Sequence, residues 1–207
     1  EKMQSTQAMR AIAEHSDKAY TLVYTKRTAL QLGMFALERM VQVMKMTQAG
    51  MVYADHYQQI DGVLKPAPVI DYQPGSLRDD FDFGSVLLFD ANTFKEAIKD
   101  TEEEYQYAGL YDLRLKTSQK NKLVHINEYL YTEVESDKRK SGEKQFDYVD
   151  PKNRQVQIEM EQACTNHLKE IGGYLYPNFC PVDFSSHTFE YEASVIIPVR
   201  NRIRTIK

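Results

Sequence analysis

The sequence predicts an α/β fold, and three observations carry that prediction. Helical and strand-like patterns alternate through the first half of the chain. A short apolar run, Gly50-Met51-Val52-Tyr53, leads straight into the polar pair Asp55-His56. The composition is 42% hydrophobic and 27% charged, which is that of an ordinary globular chain able to bury a core. In α/β proteins ligands collect at the carboxyl ends of strands. The stretch Ala49 to Phe89 is therefore where a site is expected, with the flanking segments as its support.

Taken in order, Met3 to His15 sets Met9, Ile12 and Ala13 on one side of an amphipathic helix. Tyr20 to Tyr24 is aromatic and β-branched and reads as a strand, stopping at Thr25-Lys26-Arg27. Met34 to Thr47 places Leu37, Met40, Val41 and Met44 on one helical face. Met51 to Tyr53 is the next strand, and the α-β-α-β order predicts a parallel sheet with covering helices. Asp61-Gly62 marks a turn before Val63-Leu64. A loop from Lys65 to Ser76 follows, carrying Pro66, Pro68 and Pro74. Val86 to Phe89 is apolar, and Asn92 is placed to cap a helix running through Lys99. Glu102, Glu103 and Glu104 suit the solvated start of a helix that continues over Tyr111 to Ser118. Lys122 to Ile126 reads as a strand.

From Glu133 to Pro151 the chain is basic and polar without an apolar cluster, and reads as a loop or linker. Lys152 to Ile171 is a helix with Val156, Met160, Ala163 and His167 near one face, closed by Gly172-Gly173. Tyr174 to His187 is irregular. Ala193 to Pro198 reads as a strand buried on both faces. Such a strand is too apolar to stay free, so it is expected to pair with this sheet or with that of a neighbouring copy.

The net charge of −4 supplies no electrostatic footprint for nucleic acid. Cys164 and Cys180 form neither a disulfide framework nor a metal-type spacing, which fits a reducing, cytoplasmic setting. No apolar run approaches the roughly 18 residues of a membrane helix, and no signal-type segment opens the chain. A start at Glu1 points to a piece of something longer.

Several side chains invite chemistry. Asp55 and His56 at a strand end suit a cation or a sugar hydroxyl; the alternative is a turn-forming aspartate beside a surface histidine. Asp79, Asp80 and Asp82 form either a carboxylate cluster or a solvated acidic loop. His125 and His167 read as core histidines, and Arg114 as a local partner of Asp112. Cys164 and His167 share a helix face but lack a third orienting group. No glycine-rich phosphate loop is present.

The segment SVIIPVRNRIRTI, Ser194 to Ile206, resembles the opening of family 2 glycosyltransferases. The region from Met9 to Tyr131 is similar to the later part of the same GT-A fold. Tyr20 to Leu32 (YTLVYTKRTALQL) lies where the family has a strand, its aspartate pair and a loop into a helix. Met51 to Gly62 matches the following strand and turn, and Leu77 to Phe89 the acceptor-side segment. YDLRL and LVHINEYLYT match the helix and closing strand. The resemblance implies an incomplete GT-A-like (nucleotide-diphospho-sugar transferase) sheet with flanking helices, a C-terminal helical extension and a last strand. It divides the chain into a module at 1–132 lacking its first strands, a linker and connecting helix at 133–187, and a truncated second module at 188–207.

The implied function is transfer of a sugar from a nucleotide sugar to an acceptor hydroxyl in polysaccharide biosynthesis of bacterial type. Mn²⁺ or Mg²⁺ would act in the intact protein, and this fragment would be inactive alone. The setting would be the cytoplasm, at or near the inner face of the membrane, with the C-terminal strand available for self-association. The family's metal-binding aspartates are replaced here by Thr25-Lys26-Arg27, which offer a cation no carboxylate oxygens. Lys26 and Arg27 would instead donate to a diphosphate. An acidic pair that carries the family's general base aligns with Gly109-Leu110, leaving Asp112 as the nearest surviving carboxylate and the catalytic candidate. His56, Asp80 and Asp82 are the substrate-binding candidates and Asp55 the metal candidate. The alternative is a non-catalytic glycan- or protein-binding scaffold, compatible with 14 tyrosines.

Overall fold

Six strands form one sheet in the computed structural model, which describes residues 3–75, 77–134, 153–183, 185 and 195–196. The strands are β1 (Tyr20–Tyr24), β2 (Leu30–Leu32), β3 (Met51–Ile60), β4 (Val63–Ala67), β5 (Val86–Asp90) and β6 (Leu123–Val134). Their order is β1-β5-β3-β6-β2, with β4 a hairpin partner of β3. The expected parallel sheet is instead mixed. Only β3 and β6 pair in parallel, and β5 runs against both of its neighbours. β1 and β3 keep one direction, as a helical crossover between them requires, but β5 enters between them. Hydrophobic periodicity marks a strand without giving its direction, so this insertion was not visible in the pattern.

β3 continues well past Tyr53. Its first six residues are buried, and the register against β6 shifts on either side of Asp55, which marks a β-bulge there. The strand ends in a two-residue hairpin whose central residues, Asp61 (φ 50°) and Gly62 (φ 79°), both have positive φ. That is the backbone a primed turn requires. Pro66 lies within β4 opposite Tyr57, so the proline loop begins later than its composition suggests. Among the described residues β4 pairs with no strand on its other side, where a missing N–H is tolerated.

Helices cover both faces. α1 (Thr6–His15), α3 (Ala91–Lys99) and α4 (Gly109–Lys120) pack on Met51, Tyr53 and Phe89. α2 (Ala36–Thr47) packs on Val52, Ala54 and Leu88 through Ala36, Met40 and Met44. Alternate residues of β3 thus feed opposite cores, as the pleat dictates. The cap of α3 is Asp90 rather than Asn92: its carboxylate accepts from the Thr93 N–H at 2.9 Å. The acidic run Glu102–Glu104 is exposed and not helical, and α4 begins only at Gly109. A Cβ at Gly109 would lie 2.3 Å from the backbone nitrogen of Thr6, so α1 and α4 meet there backbone to backbone.

α5 (Arg154–Glu170) packs on α4, burying Ala163 among Tyr105, Ala108, Tyr111 and Leu115. It ends as its glycines predict, with Gly172 at φ +72° and the Gly173 N–H donating to the Leu168 carbonyl at 2.8 Å. Two compact units divide the chain, Glu1–Tyr174 and Leu175–Lys207, so α5 belongs with the sheet. β6 runs to Val134, which places Glu133 in a strand, where the sequence suggested a linker. In the second unit the described residues carry no helix or strand. Val195 and Ile196, from the apolar strand expected near the end, lie outside any strand and are 82% and 88% exposed. The rest of that segment lies outside the described residues.

α4 has no side-chain cap of its own, because Ala108 stands at its N-cap. Glu159 supplies one from α5: its Oε2 accepts from the N–H groups of Tyr107 (2.7 Å) and Ala108 (3.3 Å). Glu159→Ala is expected to cost about 1–2 kcal/mol in a urea melt, the scale of a lost cap. A second prediction concerns pH. Burial pushes His167 below its ordinary 6.5, and its Nδ1 sits 3.0 Å from Gln119 Nε2, which donates to the neutral ring. The unfolded chain therefore takes up the proton first on acidification. Stability should be flat above the ordinary histidine range and fall below it, and His167→Gln should flatten that slope.

Candidate functional site

The site grows from a short link. β1 and β2 are sequence neighbours separated by five residues, Thr25–Ala29, yet they stand at opposite ends of the strand order. Four strand spacings of about 4.8 Å separate them, roughly 19 Å in a flat sheet. Leu30 stands opposite Glu133, and Glu133 opposite Gln58, whereas Tyr24 stands opposite Val86. That offset adds roughly 13 Å along the strands. Six Cα steps reach at most about 21 Å. The sheet must curl for the link to close, and Thr25–Ala29 passes as a taut strap from the carboxyl end of β1, past the amino end of β5, to β2.

Beneath the strap lies a buried polar knot. Lys26 reaches down to pair with Glu133, whose side chain is 2% exposed. The other Glu133 oxygen lies 3.5 Å from Nε2 of His56, which is equally buried. The His56 ring stacks on Tyr131 with centroids 5.1 Å apart. Tyr131 Oη accepts from the Ser85 N–H at 2.9 Å, and burial pushes its hydroxyl up to about 12. Thr25 ties the strap to the same point by donating its N–H to the Ser85 carbonyl at 2.9 Å. Gly84 sits between these groups at φ +69°, and a Cβ there would fall 2.1 Å from Tyr131 Oη. Two buried polar atoms here, His56 Nδ1 and Ser85 Oγ, have no hydrogen-bond partner among the described residues.

A cleft of about 180 Å³ opens beside the knot, with Thr25 and Gly84 on one wall. Asp79, Phe81 and Asp82 form another wall, and Tyr111 and Arg114 of α4 face them. Phe83 meets Tyr53 edge to face and, with Tyr72 and Phe81, forms an aromatic cluster with centroids 4.4–5.9 Å apart. The Arg114 guanidinium lies over the Tyr111 and Phe83 rings, at 4.8 and 5.4 Å, and donates to the Arg78 carbonyl at 2.9 Å. Burial lowers its pKa, but a guanidinium stays charged at any working pH. Tyr111 donates its hydroxyl to the Leu77 carbonyl, fastening the same segment to α4. Asp82 accepts from the Gly84 N–H at 2.8 Å, which shapes the turn.

The candidate residues divide between this site and other places. Lys26 and His56 come together through Glu133, and Asp82 reaches the cleft. Arg27 is exposed on the strap. Asp80 points away and pairs with Arg78, whose guanidinium holds its carboxyl below the usual range. Asp55 does not stand at a strand's carboxyl edge. It is 1% exposed within β3, and its Oδ1 accepts from the Val69 N–H at 2.8 Å and faces His125 Nε2 at 2.9 Å. His125 Nδ1 meets Asp71 at 2.7 Å, so this trio clips the 69–71 segment to the sheet. Asp112 is also buried, not poised. Thr101 donates to it at 2.8 Å, Lys116 lies 3.6 Å away, and it lines a separate cavity with Asp100 and Glu103. Burial raises its pKa against those two partners. Lys116, rather than Arg114, is therefore the cation beside Asp112.

Glu133, Tyr131 and Gly84 were not singled out from sequence. Alternating burial along β6 marks Tyr131 and Glu133 as inward-facing, but only once the strand is known to run that far. Among the described residues no group of three or more His, Cys, Asp or Glu is placed to hold a metal ion, and no helix is long and apolar enough to cross a membrane. No protein-family model matches this sequence, and no curated protein matches it.

Removing Lys26 would take from Glu133 its lysine partner in a closed site. Lys26→Met should lower stability by about 2–3 kcal/mol, less than a fully buried pair because the lysine is 37% exposed. Adding Glu133→Gln should recover much of that loss. Equal, additive losses in a double-mutant cycle would show that the two side chains do not hold each other.

Proposed function

We propose that this chain is a glycosyltransferase-related module of the family 2, GT-A type, and that its cleft holds the acceptor sugar. One observation carries the reading. The segment Leu77 to Phe89, which resembles the family's acceptor side, forms the wall of a cleft next to the carboxyl end of β1, lined by aromatic faces and carboxylates. Sugar rings stack their apolar faces on aromatic side chains and donate hydroxyl protons to carboxylates. Phe81 and Tyr111 offer the first, and Asp79 and Asp82 the second.

In the intact protein the chemistry is transfer of a sugar from a nucleotide sugar to an acceptor hydroxyl. A carboxylate takes the acceptor proton as the bond forms. Asp112 is closed off in another cavity, so Asp79 and Asp82 are the carboxylates within reach of an acceptor here. Lys26 is held by Glu133, which favours a fixed supporting role for the strap over free pairing with a diphosphate. This favours a module that positions an acceptor, with donor chemistry supplied elsewhere in a longer chain.

Calorimetric titration with neutral oligosaccharides tests the reading. Binding should weaken roughly three- to ten-fold in Phe81→Ala, the scale of one lost aromatic contact. UDP with Mn²⁺ should bind the chain weakly or not at all. Tight UDP binding with no saccharide binding would overturn the assignment of an acceptor cleft.

A further inference from the structure

The cleft does not end at Gly84 and Tyr111. Asp79, Tyr111 and Met160 also line a wider trough of about 610 Å³ that runs along α5 past Glu161. The inner cleft has room for about six waters at ~30 Å³ each, enough for one ring-sized group. The outer trough has room for the chain that such a ring would belong to.

The charges along this path are lopsided. Asp79, Asp82 and Glu161 are exposed and take part in no ion pair among the described residues. The neighbouring acid Asp80 is neutralised by Arg78, and the nearby cation Lys26 by Glu133. Among the described residues Arg114 is the one cation lining either cavity, and it is 4% exposed, pressed against aromatic faces. Three exposed carboxylates on one concave surface repel each other and raise the local concentration of cations.

We infer that the preferred occupant is a saccharide bearing a free ammonium group, an amino sugar that is not N-acylated. This rests on the acceptor-cleft reading. An ammonium of the ring in the inner cleft meets Asp79 and Asp82, and one on the following unit meets Glu161. A uronic acid would face the same carboxylates and be repelled. An N-acetylated sugar keeps the stacking and hydroxyl contacts and loses the ion pairs.

The test uses the whole chain and three matched disaccharides, of glucosamine, N-acetylglucosamine and a uronic acid, titrated by calorimetry at low and high salt. The glucosamine disaccharide should bind about three- to ten-fold more tightly than its N-acetylated counterpart at low salt, the scale of a few exposed ion pairs. High salt should erase most of that preference. Asp79→Asn and Asp82→Asn, both exposed substitutions, should each weaken the glucosamine disaccharide more than its N-acetylated counterpart and so reduce the preference. Equal binding of the two, or tighter binding of the uronic acid, would overturn the inference and leave the acceptor cleft standing. Binding of none of the three would overturn both.

Discussion

The arrangement depends on a length constraint. Five residues must join the two outermost strands of a five-strand path, and they can do so only if the sheet curls and the link stays nearly extended. A link stretched close to its full length has few backbone conformations in the folded chain, so its side chains start from fixed points. That is why Thr25 can serve as a wall of the cleft and why Lys26 drops onto Glu133 instead of waving in solvent. The His56–Tyr131 stack and the Gly84 turn fill the space the strap closes over.

Two tethers then hold the opposite wall. Asp55, His125 and Asp71 fasten the chain near Val69, and Tyr53 adds its hydroxyl to the Ile70 carbonyl at 2.8 Å. Farther along, Tyr111 and Arg114 hold the carbonyls of Leu77 and Arg78 to α4. α4 is itself capped by Glu159 of α5, so a helix first read as a connector helps to set the cleft. Several of the polar residues that first suggested chemistry are these tethers. Asp55 and Asp112 look reactive as letters in a sequence, but each is buried and spoken for by named donors.

Helices α1, α2 and α5, and strand β1, were legible because their apolar spacing is regular and long enough to outweigh chance. β3 was cut short because Asp55 and His56 are polar residues inside a buried strand, where the pattern expects apolar ones. The apolar pattern likewise ended β6 at Ile126, and Glu133 looked like the start of a charged linker, whereas it pairs with Leu30 and Gln58 in the sheet and its side chain is buried against Lys26 and His56. The sheet's mixed direction and the strap's crossing are properties of contacts between distant segments, which no local window contains. For the site, residue types were legible and partnerships were not. Asp82 and Lys26 were both singled out, yet what separates an open carboxylate from a neutralised ammonium is which side chain the fold brings opposite.

The central claim is that the concave surface between Gly84, Asp82 and α4 is where a saccharide sits. Amide chemical-shift mapping of the isotope-labelled chain, titrated with a neutral disaccharide, tests it most directly. Saturable shifts should cluster on Thr25, Asp82, Gly84 and Leu110 to Arg114, with the Asp100–Glu103 cavity silent. Shifts centred on that second cavity, or none along the cleft at saturating ligand, would contradict it.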